Sequence, residues 1–135
     1  MNFKLIPPDD LHACWPAVKR GLERVLTVGK EYWLPEDIYA HIRLNRAQLY
    51  LGFADDRYLG FFLTESKREP YTNQPYMNVW VLYAEPTEGE NHAGVAQFVA
   101  ETMAYIDGLA ATLGVKRIKM AGRDGWRRYL KGYFE

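Results

Sequence analysis

At 135 residues, 48% of them hydrophobic and 15% aromatic, the chain is long and apolar enough for one packed domain over residues 1–135, which excludes a disordered protein. Seventeen basic and seventeen acidic residues cancel, so no overall charge draws the chain to nucleic acid or to a membrane surface. A single cysteine, no run of about 20 apolar residues and no signal peptide predict a cytoplasmic protein without an internal disulfide.

The N-terminal part predicts a strand followed by a helix. The strand covers residues 3–6 and ends at two consecutive prolines, which cannot donate to a β-ladder. Apolar residues then recur with a helical period up to Leu26. Because a proline is unfavourable inside a helix, Pro16 predicts a turn over residues 9–13 and a helix that begins near Trp15.

A second helix and a β-hairpin are predicted next. Pro35 and the two acidic residues after it are typical of a helix start, and this helix is expected to end by Asn45. Residues 48–54 and 58–65 alternate in hydrophobicity and predict the two strands of a hairpin. On the first strand Leu49, Leu51 and Phe53 are expected to share one face, and on the second Leu59, Phe61 and Leu63 are expected to share one face.

The second half of the chain predicts a strand, a long helix and a second, parallel strand. The first strand covers residues 76–83, and the second covers residues 117–120. Gly114 followed by Val115 predicts a Schellman end for the helix between them. A last short helix is expected over residues 126–130. The apolar face of the long helix comprises Val95, Phe98, Val99, Met103, Ile106, Ala110 and Leu113.

These elements predict an α/β protein of the α+β type, with a mixed sheet in the order β-α-α-β-β-β-α-β-α. The order, the strand from Met77 to Tyr83 and the segment Asn91-His92-Ala93-Gly94-Val95-Ala96 that opens the long helix resemble the GNAT N-acetyltransferase superfamily. The build also resembles the small GNAT-like proteins that tailed bacteriophages carry.

The GNAT resemblance implies a binding site for acetyl-CoA. A glycine-containing turn at a helix start presents backbone N–H groups to anions, here the pyrophosphate of the cofactor. The strand would lie along the pantetheine arm. The residues that this assigns to the cofactor are Val79, Val81, Leu82, Asn91, His92, Ala93, Gly94, Val95 and Ala96.

The same resemblance implies groups for catalysis and for the acceptor amine. Amine acetylation needs a base for the ammonium proton and an acid for the leaving thiolate. Glu85, just after the strand, is assigned as the base through a water molecule, and Tyr129 as the acid. Family members build the acceptor pocket from their first two helices, so Tyr32, Trp33 and Tyr39 are assigned to substrate binding.

Other residues weigh against a metal site or a cysteine nucleophile. His12, His41 and His92 lie far apart and have no carboxylate or cysteine at ligand spacing, so no metal is predicted. Cys14 lies on an apolar helix stripe and is predicted to be a small core residue. The basic residues after Lys116 are assigned to a solvated face, without specific nucleic acid binding.

Two functions stay open at this point. The first is an N-acetyltransferase for a small-molecule or protein amine. The second is a non-catalytic binding or structural protein on the same scaffold, because Asn91 replaces the family's Gln or Arg and residues 77–83 hold no carboxylate. The chain also ends at Glu135, before the last strands of the family sheet, so we expect a homo-oligomer that covers this edge.

Overall fold

The computed structural model describes residues 1–28, 31–86 and 92–120, and the predicted helix at 126–130 lies outside them. The described part is an α+β domain, as predicted. Its elements are β1 (Asn2–Ile6), a 3-10 turn (Pro8–Asp10), α1 (Leu11–Val28), α2 (Pro35–Arg43), β2 (Gln48–Ala54), β3 (Arg57–Arg68), β4 (Pro75–Ala84), α3 (His92–Thr112) and β5 (Ile118–Met120).

The described strands form a five-stranded sheet in the order β1-β2-β3-β4-β5. Neighbouring strands from β1 to β4 are antiparallel, while β4 and β5 are parallel. Met77 lies opposite Ile118, and Val79 lies opposite Met120. A parallel pair requires a crossover, and α3 supplies it. This confirms the predicted strand, helix and parallel strand in the second half of the chain.

An apolar core lies on each face of the sheet. The helices α1 and α2 pack on what we call the α1/α2 face, and α3 packs on the opposite α3 face. The buried members of the first core include Leu11, Val18, Leu22, Ile38, Ile42, Leu49, Leu51, Phe61, Leu63, Val81 and Tyr83. Those of the second are Tyr50, Phe62, Met77, Val79, Leu82, Phe98, Val99, Met103, Ile106 and Ala110.

The start of α1 differs from the prediction. The helix begins at Leu11 rather than near Trp15, and Pro16 lies inside it. A proline at this position removes the hydrogen bond to the His12 carbonyl. Leu11 is fully buried in the α1/α2 core, and its carbonyl accepts a hydrogen bond from the Cys14 thiol. The burial of that extra turn offsets the loss of one backbone hydrogen bond.

The ends of α2 and α3 follow the local sequence signals. The backbone N–H of Leu34 donates to the Asp37 carboxylate over 2.8 Å, one residue before Pro35 opens α2. At the end of α3, Val115 N–H donates to the Ala110 carbonyl, and Gly114, with a φ of 72°, donates to Ala111. These two bonds confirm the predicted Schellman motif. Leu113, however, is 57% exposed and not part of the helix core, because it follows the last helical residue.

A β-bulge separates Leu59 from Phe61 and Leu63, with which it was predicted to share a face. Gly52 lies opposite Gly60 and Phe53 lies opposite Tyr58, so Leu59 has no partner on β2. Leu59 therefore packs on the α3 face instead of sharing a face with Phe61. Gly60 has a φ of 150°, and an added Cβ there would lie 2.1 Å from the Tyr83 carbonyl oxygen. A glycine is required at this position.

Candidate functional site

A second bulge interrupts β4 at Trp80. On β3, Leu63 lies opposite Val81 and Thr64 lies opposite Val79, so Trp80 is the extra residue on β4. Val81 belongs to the α1/α2 core, and Trp80 packs against that same core. Two successive side chains therefore lie on one face. The register between β3 and β4 shifts by one residue at this point.

Among the described residues, the outer edge of β4 has no partner strand beyond the bulge. The parallel pairing with β5 covers only Met77–Val79. Within residues 1–28, 31–86 and 92–120, no strand pairs with that edge of residues 80–84. Unpaired backbone N–H and C=O groups at a strand edge are able to bind an extended ligand. The side chains of Val79, Val81 and Leu82 are buried, so only their main chain is available for the contacts predicted there.

The start of α3 lies at the end of β4. Phe98, in the second turn of α3, packs close to Gly60, which is paired with Ala84 at the end of β4. The first turn therefore opens beside the last residues of that strand. Gly94 and Ala96 are exposed there, and Val95 is half-buried against the α3 core. Helix N-termini attract anions through their backbone N–H groups and the helix dipole.

The other predicted cofactor residues are described only in part. His92 and Ala93 belong to the first turn of α3 by their backbone. Asn91 lies outside the described residues, as does Tyr129, the predicted acid. Their roles stay predictions.

Glu85 is held by a cation and a tyrosine. An oxygen of its carboxylate lies 3.4 Å from Arg24 Nη1, and the same nitrogen donates to the Tyr83 hydroxyl over 2.6 Å. Burial raises the pKa of Tyr83, and the nearby Glu85 raises it further. The Glu85 backbone N–H donates to the Leu59 carbonyl, which holds the residue at the end of β4. The predicted base is thus already anchored in an ion pair.

Tyr58 adds a buried hydroxyl to the same end of the sheet. Its Oη has no hydrogen-bond partner among the described residues. Burial, and then the negative charge of Glu85, raise the pKa of this tyrosine far above its usual value. Tyr58 therefore stays neutral. No local sequence pattern indicates a role for Tyr58, because the bulge at Leu59 determines the face on which it lies.

A second carboxylate, Glu65 of β3, lies opposite Asn78, which is two residues before Trp80 on β4. Asn78 of β4 donates from Nδ2 to Glu65 Oε1 over 2.9 Å. The Glu65 side chain is only 14% exposed, and Lys67 Nζ lies 3.8 Å from its other oxygen. Asn78 and Trp80 are two residues apart and lie on the same face of β4. In the sequence Glu65 is only the last residue of a predicted strand, so its pairing with Asn78 could not be seen there.

The aromatic residues assigned to the acceptor divide between two places. Trp33 packs edge-on against Trp80, with ring centroids 6.4 Å apart, and His41 lies on the same indole at 5.3 Å. Tyr39 instead packs edge-on against Trp15 at 4.9 Å, and Tyr32 is fully exposed. The structure therefore brings Trp33 to the bulge, together with His41, which the sequence did not assign to substrate.

Metal-binding and membrane-spanning features were also searched within the described ranges. No group of three or more His, Cys, Asp or Glu side chains there has an arrangement that could hold a metal ion. Nor does any helix in those ranges combine the length and the apolar character needed to cross a bilayer.

Comparison with known proteins identifies the fold. No family model and no curated protein sequence matches this chain. Among solved structures, a probable acetyltransferase is 15% identical with a TM-score of 0.73, over 100% of this chain and 91% of its own. A predicted acetyltransferase from Clostridium acetobutylicum, with acetyl-CoA, is 15% identical with a TM-score of 0.68, over 99% and 89%.

A third similar structure is an aminoglycoside acetyltransferase from an uncultured soil metagenomic sample, in complex with trehalose. It is 13% identical with a TM-score of 0.66, over 99% of this chain and 89% of its own. Identities this low support a statement about the fold. The chain has the GNAT acetyltransferase fold.

Proposed function

We propose that this chain is an N-acetyltransferase that moves the acetyl group of acetyl-CoA to a primary amine. The observation that carries the proposal is the bulge at Trp80, followed by a strand edge that no described strand pairs and by the start of α3, where Gly94 and Ala96 are exposed. These features together offer backbone groups to an extended arm and helix N–H groups to its phosphates. The similar structures are acetyltransferases, and one is described with acetyl-CoA.

The residues proposed to bind the cofactor would contact it through their main chain. Residues 79–82 would lie along the pantetheine arm, and the N–H groups of residues 93–96 would hold the pyrophosphate, with Asn91 and His92 beside it. Gly94 is exposed, so its backbone is accessible to a phosphate. When bound, the cofactor supplies an acetyl thioester that an amine can attack.

Two groups are proposed for the proton transfers. Glu85 would accept the ammonium proton through a water molecule, and Tyr129 would donate a proton to the thiolate. Arg24 holds the Glu85 carboxylate at the end of β4. We expect Glu85→Gln to lower the rate of acetyl transfer without changing the affinity for acetyl-CoA, since the cofactor is held by backbone groups.

A paired substitution on α3 tests the cofactor site. Gly94→Asp places a carboxylate where the pyrophosphate would approach, and we expect it to abolish acetyl-CoA binding in isothermal titration calorimetry. Gly108→Asp is the matched control, because it adds the same charge to the same helix where no atom lies within 4 Å of the new Cβ. Equal affinities of the two variants would contradict the assigned position of the pyrophosphate.

The second candidate function is a non-catalytic protein that keeps this scaffold and acts by binding. It is favoured by the strand residues 77–83, which hold no carboxylate, and by Asn91 in the place of the family's Gln or Arg. A parent protein that does not bind acetyl-CoA at all would support this alternative. The kinship with phage-carried proteins and the homo-oligomer through the C-terminal edge stay predictions of the same kind.

A further inference from the structure

We propose that two copies of this chain associate through the outer edges of their β1 strands, in an antiparallel pair that has Phe3 on its two-fold axis. The two sheets would join into one continuous sheet across this pair. The partner is a second copy of the chain, and the proposal does not depend on the proposed activity.

The outer edge of β1 has no partner strand in the described part of the chain. β1 is the first strand in the order of the sheet, and β2 pairs with all five of its residues on one side. In an antiparallel pair every second residue directs its backbone N–H and C=O away from the partner strand. The outer edge of β1 therefore carries backbone groups that a further strand could bind.

Leu5 adds an apolar side chain to this edge. It is 49% exposed, and it is the only exposed large apolar side chain inside a helix or strand of residues 1–28, 31–86 and 92–120. Met1, directly before β1, is 40% exposed. The other exposed large apolar side chains of those ranges lie outside helices and strands: Tyr32, Leu34, Leu44, Tyr71 and Leu113. An edge strand with exposed apolar side chains favours pairing with another chain.

The side chains of β1 are divided between the two faces of the sheet. Phe3 packs against the core of the α3 face. Leu5 lies on the same face two residues later, and Met1 lies there two residues earlier. Asn2 and Lys4 alternate with them on the α1/α2 face, and both are exposed. One face of this edge is thus apolar, and the other is polar.

Symmetry and chemistry favour one register for the pair. A two-fold axis perpendicular to the sheet places one residue opposite its own copy, and it places residues at equal distances from it opposite each other. With Phe3 on the axis, Met1 lies opposite the partner's Leu5 on the α3 face. On the other face Asn2 lies opposite the partner's Lys4, whose ammonium can donate to the Asn2 amide oxygen. Apolar side chains therefore meet apolar ones, and no like charges are opposed.

The neighbouring registers are less favourable. With Lys4 on the axis, two lysines lie directly opposite each other, which destabilises the pair. With Leu5 on the axis, Phe3 lies opposite Pro7, which has no N–H to donate and is followed by a second proline. Lys4 thus excludes one register without closing the edge to the register that has Phe3 on the axis.

Sedimentation velocity of the full chain over about 5–500 µM tests the association. A single short pair of strands is a small interface, so we expect a reversible dimer with a Kd of about 10–100 µM. Leu5→Lys places a charge against the partner's Met1 and is expected to weaken the association by about tenfold or more. Leu44→Lys is the matched control, because it adds the same charge at an exposed leucine just after α2, and its Kd is expected to equal that of the parent.

Cysteine cross-linking tests the register, and it also covers the case in which Leu5→Lys does not fold. Opposite residues of an antiparallel pair have Cβ atoms about 4.5–5.5 Å apart, which is close to the spacing in a disulfide. In a Cys14→Ser background, the double variant Asn2→Cys/Lys4→Cys is expected to give a covalent dimer on oxidation. Each single variant is expected to stay monomeric on a non-reducing gel. Circular dichroism checks the fold of every variant.

Three results would overturn the proposal: a parent that stays monomeric up to about 500 µM, an unchanged Kd in folded Leu5→Lys, or a Lys4→Cys variant that cross-links as fully as the double variant. The second result would mean that the copies associate through another surface, such as the C-terminal edge. A titration of the same samples with acetyl-CoA is read separately, so failure of the dimer leaves the proposed function standing.

Discussion

The two faces of the sheet differ in chemistry although both are buried by helices. On the α3 face the buried cluster is apolar, and the buried polar side chain of α3, Thr102, is satisfied by the Phe98 carbonyl at 2.7 Å. On the α1/α2 face an apolar centre is bordered by polar groups at both ends of β4. Glu65 and Asn78 lie at one end, and Glu85 lies with Tyr83 at the other.

This difference indicates that one face mainly stabilises the fold and the other mainly binds ligands. An apolar, fully packed layer contributes stability and offers no group that can recognise or transfer a proton. Half-buried polar groups cost stability unless they are paired, and they are frequent where a protein binds or reacts. We therefore expect substitutions in the α3 core to change the free energy of unfolding, and substitutions at the ends of β4 to change ligand affinity.

The largest expected effect is on the α3 face. Ile106 is completely buried, and Ile106→Ala is expected to lower the free energy of unfolding by about 2–5 kcal/mol through lost burial and a cavity. Urea unfolding followed by circular dichroism measures it. Leu5→Ala, at a side chain that is 49% exposed, is the control and is expected to change stability far less. A loss below about 1 kcal/mol in Ile106→Ala would contradict a tightly packed α3 core.

A second prediction compares two glycines by the space around them. An added Cβ at Gly21 of α1 would lie 2.7 Å from Phe61 Cε1 and 2.8 Å from the Tyr83 ring, so Gly21→Ala is expected to destabilise by about 1–3 kcal/mol. At Gly108 of α3 nothing lies within 4 Å, and Gly108→Ala is expected to stabilise by about 0.5–1 kcal/mol. Thermal unfolding of both variants gives the sign of each change in stability. The same sign for both would contradict the close packing of α1 on the sheet.

A third prediction separates two tyrosines on the α1/α2 face. Tyr83→Phe removes the hydroxyl that accepts the 2.6 Å bond from Arg24, and we expect a loss of about 1 kcal/mol. Tyr58→Phe removes a buried hydroxyl that lacks a partner among the described residues, so stability is expected to stay equal or to rise. Urea unfolding of the two variants in parallel provides the comparison. A clear loss in Tyr58→Phe would show that its hydroxyl is bonded in solution.

The smallest expected effect concerns the ion pairs that connect the end of β3 to β5. The hydrogen bond from Lys119 lowers the pKa of Glu69, and the charge of Arg117 adds to this. Because the pKa of this carboxylate is lower in the folded than in the unfolded state, its charge stabilises the fold at pH values above the unfolded pKa. This contribution to the free energy of unfolding is lost as the pH falls through the folded pKa. Glu69→Gln is expected to be less stable than the parent at neutral pH.

The difference between Glu69→Gln and the parent should vanish in acid, once the pH has fallen below the folded pKa of Glu69 and the parent carboxylate is protonated as well. Unfolding experiments on both proteins at several pH values measure this. A difference that does not depend on pH would mean that the amide variant disturbs packing rather than charge.

Much of the fold could be predicted because its signals are local. Alternation predicted the hairpin strands, Pro35 predicted the start of α2, and Gly114 predicted the end of α3. The start of α1 was missed because tertiary burial of Leu11 outweighs the penalty of Pro16. Leu59 was assigned to the wrong face because a bulge shifts the alternation by one residue.

The candidate site was less predictable because it depends on pairing between strands. The assignments along β4 and at the start of α3 came from a resemblance, and they stay predictions. The contact of Glu65 with Asn78 depends on the register that the Trp80 bulge sets. The contact of Trp33 with Trp80 joins positions that are far apart in sequence. Neither contact follows from a local pattern.

The most direct test of the central claim is amide hydrogen exchange with and without acetyl-CoA. The account predicts slower exchange in two places on addition of the cofactor, the β4 residues 80–84 and the first turn of α3. Exchange at the opposite end of α3, around Ala110, is expected to change little, since that region is already protected by packing. No protection at either place, or protection confined to other elements, would contradict a cofactor site at the open edge of β4.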